Sequence, residues 1–339
     1  MLPAPARKPQ LIGIAKLAAE GTLLEQKRSL EYIELRSRSL LNRCTSSRMP
    51  FQWTVNPYRG CEFGCKYCYA RYTHEFMELR EPEDFETKIY AKNFDVRAFR
   101  AELARVKHGE EIAIGTATDP YQPAERRFGV TRRILEVFAT ERGHRLSLTT
   151  KSDLVARDVD LLCDVARRNV LHVNITVTTL DCELARLLEP KAPRPDLRVA
   201  AVRTLSSAGL AVGVLTMPIL PLLTDSEESL DSVAAAARAA GARYLAGGVV
   251  FLKPCAMAAF LPFLEQRFPH LARRYAGRFA RGAFLRGGYP AVLKERLSRI
   301  RARHNLASSP GDYRPDFWEG DPQGELFACE AATRAAGCC

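Results

Sequence analysis

The chain has 339 residues, with 50 Lys and Arg against 39 Asp and Glu, a formal charge of +11. Hydrophobic residues make up 47% and charged residues 26%, a globular balance that excludes wholesale disorder and suits two domains or one large α/β domain with appendages. The longest apolar stretch, Leu210 to Leu223, carries Pro218 and Pro221 and falls short of the roughly 20 residues a membrane crossing takes.

The N-terminus, MLPAPARKPQ, has no apolar core of a secretory signal, so a cytoplasmic location is expected. Residues 1–50 form a basic extension without a sustained pattern, apart from a short amphipathic piece over Lys27–Leu41 expected to lie over the main domain. From Phe51 the chain alternates short apolar runs with helical periodicity, the signature of repeated βα units, and 51–255 reads as the core. Strands are predicted at Phe51–Val55, Glu111–Ala117, Arg145–Thr149, Leu171–Val177, Ala211–Met217 and Arg243–Phe251. Helices are predicted at Asp95–Val106, Thr131–Glu141, Arg157–Arg167, Asp181–Leu188, Asp196–Ser207 and Ser226–Ala240. Gly209 and Gly241 stand where helices should end in a left-handed residue.

Six such units imply a parallel sheet with right-handed crossovers and functional residues at the C-terminal strand ends. Periodicity leaves an open doubly wound sheet and a curved partial barrel equally available. No glycine-rich dinucleotide fingerprint and no Walker A loop follows any strand. Residues 256–306 read as a basic, mainly helical region: Arg267 to Arg303 hold eleven basic residues and one acid, Glu295. Residues 307–339 are rich in Pro, Gly and Asp and read as an extended tail.

Ten cysteines stand out, because in a reducing compartment clustered cysteines mean metal or redox work. The segment NPYRGCEFGCKYCYARYTHEF, residues 56–76, places Cys61, Cys65 and Cys68 directly after the first predicted strand. The spacing lets three thiolates converge from one loop, with Gly60 and Gly64 allowing the tight backbone. Soft thiolates favour zinc, Cu(I) or iron–sulfur clusters. A structural zinc site or an electron-transfer [4Fe-4S] cluster normally has four protein ligands, and no fourth stands at a matching spacing: His74 is six residues on and Cys44 seventeen upstream. Three ligands leave one position open, as catalytic sites do, while a zinc loop completed by a remote residue is the alternative.

The Cys-x3-Cys-x2-Cys loop, with Tyr67 before its last cysteine, resembles the signature of the radical SAM superfamily. NPYRGCEFGCKYCYAR, GTATDPYQPAE (115–125), TTKSDLVARDVDLL (149–162), LEPKAPRPDLR (188–198) and MPILPLLTD (217–225) resemble successive motifs of its spore photoproduct lyase-like, or "DNA repair photolyase", subgroup. The resemblance implies an α/β partial (βα)6 TIM-like barrel with an N-terminal extension. It implies a [4Fe-4S] cluster on Cys61, Cys65 and Cys68, with the fourth iron chelated by S-adenosyl-L-methionine (SAM). The implied activity is reductive cleavage of SAM to a 5′-deoxyadenosyl radical that abstracts hydrogen from a substrate, with a flavodoxin or ferredoxin as electron donor.

It further implies cofactor-binding residues. Tyr67 packs near the adenine, and Thr118 and Asp119 stand where the superfamily contacts the SAM amino group, although Asp119 could instead cap its own turn. Lys151, followed by Ser152, takes the SAM carboxylate, with a solvated surface lysine as the alternative. Asn174 is a polar residue in a predicted buried strand and needs a partner, for which SAM is available. Arg198 either binds the SAM carboxylate or neutralises Glu189. Spore photoproduct lyase carries a hydrogen-donating cysteine in the second strand of its barrel, and here Thr116 stands at that place. A hydroxyl O–H is too strong for that role, so thymine-dimer repair does not carry over.

The substrate is not legible. Arginines in 267–303 interleave with Phe268, Tyr275, Phe279, Phe284 and Tyr289, which suits a nucleic-acid partner as well as a solvated basic face. Gln323 to Phe327, QGELF, resembles a sliding-clamp binding peptide or an apolar tail docking on its own domain. Cys163 and Cys182 read as small core residues on helices, Cys255 as a thiol near the barrel mouth, and Cys329, Cys338 and Cys339 as surface thiols. Two other functions stay open: radical modification of a protein or small molecule, and a nucleic-acid-binding redox sensor that does not turn SAM over.

Overall fold

The computed structural model describes residues 11–27, 29–311 and 313–319. Its strands in chain order are β1 (Thr22–Lys27), β2 (Leu30–Arg36), β3 (Leu41–Arg43), β4 (Trp53–Val55), β5 (Tyr58–Arg59), β6 (Lys88–Asn93), β7 (Glu111–Ile114), β8 (Arg145–Thr150), β9 (Val170–Thr176), β10 (Ala211–Ile219) and β11 (Tyr244–Val249). Six of them lie side by side, parallel and in chain order, β4-β7-β8-β9-β10-β11, with β3 antiparallel on the β4 edge. A doubly wound sheet reverses its strand order at a switch point. This sheet never does, so right-handed crossovers set every connecting helix on one side, the winding of a (βα)6 partial barrel.

The helices that wind the barrel, Val96–Leu103, Val130–Thr140, Val159–Arg168, Pro195–Ser207 and Glu227–Ala239, fall within a few residues of their predicted spans. Their ends are built from local chemistry. Asp95 and Ser226 accept the amide hydrogens of Ala98 and Ser229 as N-caps. Gly209 and Gly241 follow the C-caps at φ +83° and +87°, as expected. Val130–Thr140 buries Val130, Ile134, Leu135, Val137 and Phe138 at helical spacing against the sheet.

The two faces of the sheet differ in chemistry. The register sets Ile112 and Ile114, Leu146 and Leu148, Val173 and Ile175, Val212 and Val214 on the helix side, all essentially removed from water. The opposite face carries Ala113, Ser147, His172, Asn174, Thr176, Gly213 and Tyr244, small or polar side chains that leave Ser147 half-buried. Such a face is the wall of a polar lumen. The Tyr244 ring crosses it over Gly213, where a Cβ would lie 2.1 Å from the ring.

The N-terminal extension departs from expectation. Lys27–Leu41 is no isolated amphipathic piece: β2 pairs antiparallel with β1 and parallel with β6, and β5 completes a second, four-stranded sheet. At the other end, helices Pro254–Arg267, Pro269–Phe279 and Tyr289–His304 form the basic region. Ala307 then bridges to Tyr244 on β11, and Tyr313 and Phe317 pack back on Gly209. Cys163 packs against the core from its helix as expected, whereas Cys182, in the first turn of Cys182–Leu188, is exposed. No helix among the described residues is long and apolar enough to cross a membrane. Gln323–Phe327, Cys329, Cys338 and Cys339 lie outside the described residues.

Candidate functional site

The cysteine loop leaves β5 at the C-terminal end of the parallel sheet. Gly60 and Gly64 adopt φ of +79° and +65°, and at Gly60 a Cβ would lie 2.8 Å from the Lys88 carbonyl oxygen, so the loop needs glycine there. Side chains from distant segments hold the loop by its backbone. Gln122 accepts from the Glu62 amide at 3.0 Å and donates to the Gly60 carbonyl at 3.1 Å, while Thr118 donates to the same carbonyl at 2.6 Å. Arg71, buried and ion-paired with Glu86, donates to the Cys65 carbonyl at 3.1 Å. Tyr32 of β2 donates to the Glu62 carboxylate at 3.0 Å, which ties the N-terminal sheet to the loop.

Cys61 and Cys65 are buried and Cys68 half-buried. Burial pushes all three thiols up, and for Cys61 the Asp119 carboxylate and then the neighbouring thiols add to it. Three thiolates in one buried loop therefore need cationic charge beside them, which iron supplies. His74, one remote candidate for a fourth ligand, turns to the Lys88 carbonyl at 3.1 Å and packs its ring on Phe85. Cys44 stands by the β3 edge, its amide on the Gln52 carbonyl. Among the described residues no three His, Cys, Asp or Glu side chains are grouped to hold a single ion. The donor set, three soft thiols from one loop with no fourth protein ligand among the described residues, fits a cluster that takes each cysteine on a separate iron.

Beside the loop a buried carboxylate gathers three of the other expected residues, Tyr67, Lys151 and Arg198. Glu189, 2% exposed, forms an ion pair with Arg198 at 2.5 Å and accepts from Thr178 at 2.8 Å and from the Tyr67 hydroxyl. The Lys151 ammonium lies 3.9 Å from the same carboxylate and 5.9 Å from the centroid of the Tyr67 ring. Asp119 accepts from the Lys151 amide at 2.7 Å, the Thr150 hydroxyl at 2.6 Å and the Tyr121 amide at 2.9 Å. Its bond to the Tyr121 amide caps its own turn, one of its two expected roles. The Ser152 hydroxyl accepts from the Leu154 amide, and Arg198 adds bonds to the Pro193 and Thr176 carbonyls, so of its two expected partners it meets Glu189.

Asn174 stands apart from this group. Its amide donates to Ser147 and its carbonyl accepts from Tyr244, which places it in the lumen wall, below the strand ends. Cys255, half-buried in the first turn of Pro254–Arg267, lies beside Glu75. Sequence reasoning named Glu189 only as a mate for Arg198 and missed its bond to Thr178. The signal for Glu189 was an acid in LEPKAPRPDLR followed by three cations, Lys191, Arg194 and Arg198.

A three-cysteine loop at the C-terminal end of a parallel (βα)6 sheet, with the Lys151 and Arg198 cations beside it, fits an iron–sulfur enzyme of the SAM-binding class. The Radical SAM superfamily model matches residues 55–233, just over half the chain. The chain is 35% identical over 288 residues to the uncharacterized protein Rv2578c of Mycobacterium tuberculosis, covering 84% of each. It is 29% identical over 200 residues to the uncharacterized protein MJ0683 of Methanocaldococcus jannaschii, covering 58% of this chain and 71% of that one. Among solved structures, spore photoproduct lyase complexed with dinucleoside spore photoproduct superimposes with a TM-score of 0.63 at 16% identity, covering 88% of this chain and 85% of that one. A mutant of that lyase with bound AdoMet gives 0.57 at 15% identity, covering 78% and 76%. The chain belongs to the radical SAM superfamily. It is a radical SAM enzyme, and its cofactors are a [4Fe-4S] cluster and SAM; such enzymes need a reductant such as flavodoxin or ferredoxin.

Proposed function

We propose that Cys61, Cys65 and Cys68 hold the cluster and that Lys151 pairs with the SAM carboxylate, so that hydrogen is abstracted from a substrate in the polar lumen. When bound, the cluster and SAM supply the reductively generated 5′-deoxyadenosyl radical. The observation that carries this reading is the position of Lys151. Glu189 is met by Arg198 at 2.5 Å and only loosely by Lys151 at 3.9 Å. The Lys151 ammonium, with 15% of its side chain exposed beside the cysteine loop, is therefore within reach of an added carboxylate.

The remaining residues work through their neighbours. Asp119 fixes the Lys151 backbone, Ser152 caps the turn after it, and Thr118 holds the loop at Gly60. Tyr67 has its ring beside the Lys151 ammonium, where it would pack near the adenine, and its hydroxyl tied to Glu189. Arg198 positions Glu189, and Asn174 lines the lumen.

The substrate class this reading favours is nucleic acid, for which the basic C-terminal region provides the charge. Equilibrium dialysis of anaerobically reconstituted Lys151→Ala tests the assignment. SAM binding is expected to weaken by about tenfold or more with the cluster intact, as loss of a charged hydrogen-bond partner of roughly 1.5–3 kcal/mol would give. Unchanged affinity would remove Lys151 from the site.

A further inference from the structure

The basic stretch divides into two parts with different surroundings. On Tyr289–His304 part of the charge is absorbed: Arg303 meets Asp231 at 2.6 Å and Glu227 at 3.3 Å, Arg299 meets Glu227, and His304 meets Asp231 at 2.9 Å, while Lys294 and Arg301 make no ion pair with a described carboxylate. The turn from Pro269–Phe279 into Tyr289–His304 is different. There Arg278, Arg281 and Arg286 line a cleft of about 230 Å³ with Phe284 and Tyr289, and none of the three makes an ion pair with a described carboxylate. The carboxylate closest by connection, Asp225, is spent on the Tyr289 hydroxyl at 2.7 Å and the Leu222 amide at 2.7 Å.

This cleft is coupled to the cysteine loop by aromatic contacts. Phe284 stacks on Phe251 at 5.3 Å, and Phe251 packs on Tyr69 at 4.9 Å. Tyr69 follows Cys68 in the chain and donates to the Thr116 carbonyl at the end of β7. A further guanidinium, Arg48, sits 4.9 Å from the Phe284 ring centroid. Two ring contacts therefore separate a cationic cleft from the mouth of the lumen.

We propose that Arg278, Arg281 and Arg286 form the phosphate-binding handle for the substrate, which carries a phosphate ester of the nucleotide class. Guanidinium forks match phosphate oxygens in geometry and charge. Three of them without a counter-ion among the described residues, around an apolar wall, suit a phosphate with an organic group attached. The inference rests on the radical-enzyme reading for the word substrate, while the binding itself can be measured without turnover.

The test compares two charge-reversed doubles of equal net charge in the full-length protein. Arg281→Glu/Arg286→Glu alters the cleft; Lys294→Glu/Arg301→Glu alters unpaired cations of the same stretch outside it. Fluorescence anisotropy with labelled single-stranded DNA and RNA 12-mers, competed by a mononucleotide and by inorganic phosphate, reads binding against salt. The cleft double is expected to lose about tenfold or more in affinity and to flatten the salt slope by roughly 1 to 2, the control double neither. Competition by the mononucleotide at matching concentration assigns a free nucleotide, and its failure to compete assigns a strand; either supports the handle. Equal losses in both doubles, or no binding of any phosphate probe by the parent protein, overturn it. SAM cleavage with dithionite, run in parallel on the parent protein and the cleft double, reports on the radical-enzyme reading separately.

Discussion

The Arg198 guanidinium meets the Glu189 carboxylate at 2.5 Å, with only 2% and 1% of the two side chains exposed, next to the loop that carries the cysteines. Breaking a buried pair by removing one partner strands the other charge at a cost of about 3–5 kcal/mol. Arg198→Met is therefore expected to lower the unfolding free energy by that order in urea melts. Arg198→Met combined with Glu189→Gln is expected to recover part of the loss. If the single and double variants melt alike, the pair does not hold the pocket.

The same carboxylate gives a pH signature. Burial alone would raise the Glu189 pKa, but Arg198, Lys151, Tyr67 and Thr178 outweigh it and hold the group at about 2, below its ordinary 4.5. A lowered folded-state value means stability that is present above about pH 4.5 and lost as pH falls towards 2. Glu189→Gln removes that dependence, so the difference in stability between parent and variant should shrink steadily over this window.

Lys92 behaves in the opposite way. It is 5% exposed on β6, opposite Leu35 of β2, and burial and then the Arg59 charge push it down to about 7. Between about 7 and its ordinary 10.5 the unfolded chain binds the proton and the folded chain does not, so stability rises with pH across that window. Lys92→Met should flatten the rise and add on the order of 1–4 kcal/mol at pH 7, as replacing a buried charge by an apolar side chain often does. A variant that is less stable at pH 7 would show that the ammonium has a partner the protein depends on.

The end of the described chain is a strap. Tyr313 donates to the Gly209 carbonyl at 3.0 Å, Phe317 lies against Gly209, and Glu319 pairs with Arg168 at 2.7 Å. Phe317 is half-buried, so Phe317→Ala should cost about 1–2 kcal/mol, less than the 3–5 of a fully buried Phe. Thermal melts of the two proteins check it; an unchanged midpoint would mean the strap adds nothing.

The barrel was legible because each of its strands carries an apolar helix-facing set and is followed by a helix with its own period and stop. The second sheet was not. β1 is almost wholly exposed, β5 has two residues, and β6 mixes Lys88 and Lys92 into its run, so no alternation marks them. The cysteines announced themselves by spacing, which local sequence holds. Glu189 did not, because its partners come from segments as far as 122 residues away, and burial is what gives them meaning. The arginines of 267–303 show the other limit: charge is read from sequence, while the counter-ions Glu227 and Asp231 that silence part of it come from another helix.

The central claim is that the three cysteines hold a cluster that cleaves SAM. Its most direct test is formation of 5′-deoxyadenosine, measured by mass after anaerobic reconstitution with iron and sulfide and addition of dithionite and SAM, in the parent protein and in Cys65→Ala. The account predicts 5′-deoxyadenosine in the parent, about four irons per chain, and neither in Cys65→Ala. Tight zinc in place of iron, or a fully loaded four-iron cluster that leaves SAM intact with every phosphate-bearing substrate supplied, would contradict it.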